Sequence, residues 1–229
     1  MIKIRLSDDR GLADHGWLQS RHTFSFASYY DPKQLGVSAL RVINDDRVTA
    51  GNGFGTHSHQ DMEIISYVKN GHIEHRDNMG NVERLPAGEF QLMSAGTGVS
   101  HSEYNPSDTE TLEFLQIWIQ PDVVAIEPGY QQKRFDTRQG LQLIASPDAR
   151  EGSLLLHQNA SLYQLYLDTG QSIAHPLEYE RTVYVHVLAG VVTVNGEQLN
   201  EVDGATVSEV DRVDFVDADN CQALIFDLP

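Results

Sequence analysis

Cysteine and long apolar runs are scarce in this sequence of 229 residues. The single cysteine, Cys221, excludes an internal disulfide framework, but the chain is long enough to bury a core without staples. Residues 1–10 lack the basic and then apolar layout of a signal peptide, and no apolar run approaches the roughly 20 residues of a membrane span. We therefore expect a cytoplasmic protein without a membrane contact.

Positive charge is also scarce. Lys and Arg together number 16 against 33 Asp and Glu, which gives a formal net charge of -17 at pH 7. Proteins gain most of their affinity for nucleic acid by neutralising phosphates with Lys and Arg. The charge therefore argues against direct binding of nucleic acid, and any regulatory action would have to run through protein partners.

Helical periodicity is almost absent, and alternation of apolar and polar residues predicts an all-β class. Asn70-Gly71 lies between two such runs, which predicts a tight hairpin. In residues 111–119, Leu115, Ile117 and Ile119 share one face, while Phe114, Gln116 and Trp118 share the other. Core packing is the default role for these aromatic residues, with stacking on a flat substrate as the alternative.

Two His-x-ligand pairs stand out, His57-x-His59 and His101-x-Glu103. Residues two apart on a strand project from the same side, so the members of each pair point together. Two strands facing each other across a barrel lumen would bring all four groups to one ion. Loop exposure is the ordinary explanation of an isolated His-x-His pair, but the second pair at matching parity favours a metal site.

Imidazole nitrogens with one carboxylate suit Fe(II), Zn, Ni, Cu or Mn, and affinity order alone does not choose among these metals. Four protein ligands on an octahedral ion leave two positions open. Open positions favour catalysis, since structural zinc sites are usually closed and rich in cysteine.

The spacing of Gly51, His57, His59, Glu63 and Gly71 resembles the first motif of the cupin superfamily. A second cupin-like motif runs from Gly88 to Asn105 and contains His101, although serine stands at position 94 where proline is usual and two extra residues precede the histidine. Those departures, together with residues 21–26, 29–32, 40–46, 75–77 and 96–103, are similar to the pirin family.

The pirin resemblance implies two cupin (jelly-roll-like) β-barrel domains in one chain, with one divalent metal ion, usually Fe(II), in the N-terminal barrel only. It places the family's ligands on His57, His59, His101 and Glu103. In many other cupins the carboxylate ligand comes from the first motif, which would be Glu63 here. We favour Glu103, because the His-Ser-Glu segment is intact, and expect Glu63 to have a supporting or structural role.

We place the N-terminal metal-binding cupin domain at residues 1–125 and the C-terminal cupin domain at 126–229, with a linker at 121–132. The second half repeats the strand plan and has an Asn195-Gly196 hairpin, but leucine follows His175-Pro176 where a second histidine belongs. His175 and His186 lack a carboxylate at matching parity, so we expect a structural barrel.

Two further histidines of the first half are considered. His22 is kept as a further site candidate. His75 is expected to make a surface hydrogen bond, with orientation of a metal ligand as the alternative.

The resemblance implies a metal-dependent dioxygenase that opens the central ring of flavonols such as quercetin with O₂ and releases carbon monoxide. Glu103 would then also be catalytic, accepting the proton of the flavonol 3-hydroxyl, while the residues that bind the flavonol are unknown. The alternative is a metal-dependent regulatory or redox-sensing protein that acts through protein partners. Saturable turnover distinguishes the enzyme from the regulator.

Overall fold

The computed structural model describes residues 1–229, which form twenty strands and two single turns of 3-10 helix at Ser7–Asp9 and Arg150–Gly152. The first ten strands are β1 (Ile2–Arg5), β2 (Gly11–Asp14), β3 (Leu18–His22), β4 (Leu40–Val48), β5 (Gly53–His59), β6 (Glu63–Asn70), β7 (His72–Asp77), β8 (Val82–Pro86), β9 (Glu89–Ser94) and β10 (Val99–Tyr104). The others are β11 (Leu112–Ile119), β12 (Gly129–Arg134), β13 (Gly140–Ser146), β14 (Leu154–Leu155), β15 (Ser161–Leu167), β16 (Ile173–Pro176), β17 (Thr182–Val194), β18 (Glu197–Leu199), β19 (Gly204–Val207) and β20 (Arg212–Leu228). The all-β prediction is confirmed, and no helix of the chain is long and apolar enough to cross a membrane.

The first barrel is built from two sheets. A seven-stranded sheet has the order β12-β9-β6-β11-β4-β3-β2, and a four-stranded sheet has the order β5-β10-β7-β8. The predicted Asn70-Gly71 hairpin is wrong, because β6 belongs to the larger sheet and β7 to the smaller one. Gly71, at a φ of 78°, turns the chain from one sheet into the other.

The second barrel is formed by one nine-stranded sheet in which β17 and β20 are the longest strands. Here the Asn195-Gly196 hairpin is confirmed: both residues have positive φ, and Val194 of β17 pairs with Glu197 of β18. The interior is filled by a cluster of 16 buried residues that includes Val185, Phe215 and Ile225. This barrel therefore has an apolar, packed interior.

The two barrels share a core. The largest apolar cluster contains 21 buried residues. They come from β4, β6, β9 and β11 of the first barrel, from β13, β14, β15, β17 and β20 of the second, and from adjoining loops. The face of β11 that carries Leu115, Ile117 and Ile119 packs in this cluster. The opposite face, with Gln116 and Trp118, points into the first barrel and lines its cavity. The alternation of side chains predicted for this strand therefore places one face in the core between the barrels and the other face in the cavity of the first barrel.

The barrels also exchange their outer strands. β1, at the start of the chain, pairs with β19 of the second barrel, and β12 pairs with β9 of the first. The predicted linker at 121–132 therefore runs into a strand of the first barrel at Gly129. Sheet membership crosses the boundary between 1–125 and 126–229 in both directions, and that division stays a prediction.

Candidate metal centre

The four predicted ligands lie on two neighbouring strands. His57 and His59 are on β5, His101 and Glu103 are on β10, and in this antiparallel pair His101 lies opposite His57. A register shift between His101 and Glu103 places Glu103 opposite Phe54. The expectation that the two pairs face each other across the lumen is wrong, because β5 and β10 are adjacent in one sheet.

Three imidazoles converge at this point. His57, His59 and His101 each offer one ring nitrogen within 4.8 Å of the other two. The Nε2 atoms of His57 and His101 are 3.1 Å apart, and Nε2 of His59 is buried without a hydrogen-bond partner in the protein. The arrangement supplies three nitrogen ligands from two strands.

Neighbouring groups assign the protons on two of these rings. Nδ1 of His57 is 2.8 Å from the carbonyl oxygen of Gly55, which can only accept, so this nitrogen carries the proton. Nδ1 of His101 is 3.5 Å from Nδ1 of His75. With Nε2 of His75 donating to Asp77 and its Nδ1 accepting, His101 donates here, and the Nε2 of His101 carries a lone pair. Two lone pairs then face each other across 3.1 Å with no proton between them, a contact that a metal cation relieves.

The electrostatics keep two of these rings neutral. Burial, followed by the neighbouring His57 and His75, lowers the pKa of His101 to about 3. Burial, followed by His101 and His57, lowers the pKa of His59 to about 4. Neutral imidazole is the form that binds metal ions, so at neutral pH His59 and His101 can bind a cation without first losing a proton.

His75 completes this arrangement from behind His101. The expected surface hydrogen bond of His75 is wrong, since its side chain is fully buried and its ring centroid lies 5.2 Å from that of His101. Its Nε2 is 3.1 Å from a carboxylate oxygen of Asp77. Burial alone would raise the pKa of Asp77, but hydrogen bonds from Asn81 and His75 lower it, so the carboxylate is ionised and accepts. A hydrogen-bonded series therefore runs from Asp77 through His75 to His101.

Glu103 lies on the inner side of the cluster. Its side chain is 2% exposed, and its two oxygens accept hydrogen bonds from Ser66 at 3.2 Å and Gln116 at 3.3 Å. Together with His75 and His101 it forms a second group within 4.8 Å, so the two groups overlap at His101 and neither contains all four predicted ligands.

Glu63 is directed elsewhere. Its buried carboxylate accepts from Ser94 Oγ at 3.0 Å and from both the backbone nitrogen and the Nδ1 of His157 at 3.3 Å. These contacts join the first barrel to the segment that precedes β15. The structure thus gives Glu63 an inter-barrel contact, and it belongs to neither three-ligand group.

A cavity of about 690 Å³ opens onto His57 and His59. Aromatic side chains form one side of it, including Trp17, Phe54 and Trp118, and a polar set lies at another, namely Ser20, His22, Asn44, Asp46 and Gln116. His22, retained as a candidate from the sequence, does line the cavity. Asn44 and Asp46 were missed. They alternate with the apolar Val42 and Val48 on one face of β4, and polar residues on such a face are the signal that would have found them.

The second barrel has no comparable cluster. Among residues 1–229, both groups of three ligand-type side chains belong to the first barrel. Nε2 of His175 donates to a carboxylate oxygen of Asp227 at 2.9 Å, and His186 is fully buried against the packed interior. Two barrels, one with an imidazole-rich centre and one filled with apolar side chains, define a two-domain cupin that binds metal.

Comparison with known proteins identifies the family of cupins to which the chain belongs. The profile of the Pirin family matches residues 4–119, and that of the Quercetinase C-terminal cupin domain matches residues 143–228. The chain is 53% identical over 229 residues to the quercetin 2,3-dioxygenase of Escherichia coli K12, covering all of this chain and 99% of that protein. It is 39% identical to a pirin-like protein of Caulobacter vibrioides over 99% of both chains.

Solved structures agree with the sequence comparison. The bacterial pirin YhhW of Escherichia coli, in complex with nickel(II), superposes with a TM-score of 0.98 at 52% identity, covering all of this chain and 99% of that one. The chain belongs to the pirin family, and its full-length likeness makes it a quercetin 2,3-dioxygenase-like member of that family.

Proposed function

We propose that this protein is a metal-dependent dioxygenase that opens the central ring of flavonols with O₂. The observation that carries the proposal is the convergence of three imidazoles, two of them with Nε2 atoms 3.1 Å apart, on an aromatic-lined cavity of about 690 Å³. The named activity of the 53% identical relative supports the same reaction.

His57, His59, His101 and Glu103 are the proposed metal ligands, and Fe(II) is the proposed metal, with Ni(II), Zn(II), Cu(II) and Mn(II) as alternatives. The donor set fits such an ion, because His59 and His101 are neutral imidazoles and the carboxylate of Glu103 accepts from only two uncharged side chains. When bound, the ion supplies open coordination positions and the Lewis acidity that lowers the pKa of a bound hydroxyl.

The protein side chains have separate proposed roles in the reaction. The indole of Trp118 meets His59 edge to face at 5.1 Å, so a flat ring bound along it lies beside the metal ligands. Glu103 accepts the proton of the flavonol 3-hydroxyl. Ser66 and Gln116 keep that carboxylate oriented. In the reaction both atoms of O₂ enter the opened product, and carbon monoxide leaves.

The test is anaerobic loading with Fe(II) and, in parallel, with Ni(II), followed by elemental analysis. Quercetin loss and O₂ uptake are then measured on admitting air. We expect one equivalent of metal and coupled consumption of the two substrates. His57→Ala and Glu103→Ala should abolish turnover. Both variants should stay folded, since neither residue belongs to the apolar core that the two barrels share. His72→Ala, on a half-buried histidine of β7, is the matched control.

The possible outcomes separate the hypotheses. Full activity in His57→Ala or Glu103→Ala refutes the ligand assignment. Bound metal without turnover of any flavonol refutes the oxygenase and favours the metal-dependent regulatory protein, whose protein partners would then be sought. A protein that takes up no metal refutes the site itself. The cytoplasm stays the predicted location.

A further inference from the structure

A row of buried polar side chains crosses the sheet that forms the inner wall of the first barrel. The antiparallel registers align one residue from each of five neighbouring strands, in the order His22, Asn44, Gln116, Ser66 and Gln91. All five are at most 6% exposed. The third and fourth members, Gln116 and Ser66, donate hydrogen bonds to Glu103, so the row includes the support of the metal centre.

The end of this row at β3 and β4 has polar atoms without partners. Nδ1 of His22, Oδ1 of Asn44 and Oδ1 of Asp46 are all buried and make no hydrogen bond within the protein. All three residues line the cavity. A buried polar atom that lacks a partner costs about 1–3 kcal/mol, so a ligand that pairs with these atoms recovers that free energy. Burial also raises the pKa of Asp46 to about 7, so this carboxyl can donate or accept near neutral pH.

We call His22, Asn44 and Asp46 the polar corner of the cavity. Aromatic contacts connect His22 of this corner to the metal ligands. Three edge-to-face contacts follow one another, from His59 to Trp118 at 5.1 Å, from Trp118 to Phe26 at 5.4 Å, and from Phe26 to His22 at 5.2 Å. All four of these residues line the cavity, so a molecule bound against them can reach from the metal ligands to the polar corner.

We propose that His22, Asn44 and Asp46 bind the ring hydroxyls of a polyhydroxylated flavonol and so set the specificity of the site. This inference rests on the proposed function for the class of substrate. A hydroxyl can donate to Asn44 Oδ1 and to the Asp46 carboxyl, and it can donate to or accept from His22 according to the tautomer of that ring. A flavonol without these hydroxyls leaves the three atoms unpaired and is bound less well.

The test compares equilibrium binding of quercetin with that of 3-hydroxyflavone, which has no other hydroxyl, to the metal-loaded protein without O₂. Titration calorimetry gives the affinities, and tryptophan fluorescence reports occupancy, because Trp17 and Trp118 are the two tryptophans of the chain and both line the cavity. The variants are Asn44→Leu and Asp46→Leu, each of which removes the polar atoms and keeps a side chain branched at Cγ. Gln91→Leu is the matched control: it is the opposite end of the same row, equally buried and without partners, but it does not line the cavity.

We expect the wild-type protein to prefer quercetin, and Asn44→Leu and Asp46→Leu to weaken quercetin binding by about 5- to 30-fold each. Binding of 3-hydroxyflavone should change by much less, and Gln91→Leu should alter neither ligand. Equal affinity of the wild-type protein for the two ligands, or equal losses for both ligands in the variants, overturns the proposal. If the variants lose the preference for quercetin but the wild-type protein takes up no O₂ in air, the polar corner still sets the specificity of binding. The same result refutes the oxygenase.

Discussion

Replacement of His75 tests whether the groups behind His101 set its ability to bind metal. In His75→Phe the ring is kept, together with its packing at 4.8 Å against Tyr130 and 5.2 Å against His101. The acceptor for the His101 Nδ1 proton is lost. His101 is then free to carry its proton on Nε2, the nitrogen that faces His57 at 3.1 Å, and that tautomer cannot bind a metal through Nε2.

The size of the effect follows from the role of groups that orient a metal ligand. Loss of such a partner typically reduces metal affinity or activity by about 10–100-fold, which corresponds to roughly 1.4–2.7 kcal/mol. We expect His75→Phe to fall in this range. His75→Gln should retain most of the affinity, because its amide oxygen can accept the His101 proton.

The assay is competition for Fe(II) with a chelator of known affinity, together with kcat for quercetin on fully loaded protein. His72→Phe, on the same strand, is the control for a histidine replaced by a phenyl ring on β7. The reasoning is refuted if His75→Phe binds iron and turns over as His72→Phe does. It is also refuted if His75→Gln loses as much as His75→Phe, since the effect then lies in packing and not in the proton.

Two further predictions concern buried carboxyls. Because the pKa of Asp46 is raised from 3.8 to about 7 in the folded protein, the folded state binds the proton more tightly, and stability falls as pH rises through that window. In urea unfolding at pH 8, the free energy of unfolding of Asp46→Asn should therefore exceed that of the wild type by on the order of 4 kcal/mol. Near pH 4 the two proteins should be equally stable. Equal stabilities at pH 8 would contradict this prediction. Glu63→Ala should lose about 2–3 kcal/mol of stability by unpairing Ser94 and His157, yet keep a full equivalent of metal by elemental analysis. Loss of the metal in this variant would return Glu63 to the ligand set.

The features that could be predicted from the sequence follow from the alternation of side chains along single strands. The alternation of side chains along a strand depends only on the backbone, so the sequence alone predicted that His57 and His59 point together, that Gln116 and Trp118 share a face, and that the class is all-β. Turn chemistry is equally local, which is why the Asn195-Gly196 hairpin was predicted correctly. The family resemblance, carried by dense motifs in the first half of the chain, added the two cupin barrels.

Pairing between strands is not a local property, and the tertiary structure alone decided it. The same Asn-Gly signal at Asn70 joins two different sheets, because β6 and β7 find better partners elsewhere. Register across five strands assembled the polar row from residues far apart in sequence. Packing against His101 buried His75, and the contact between the barrels directed Glu63 to His157. Each of these depends on which strands become neighbours and in which register, and that is settled by burying the shared core and not by any one segment.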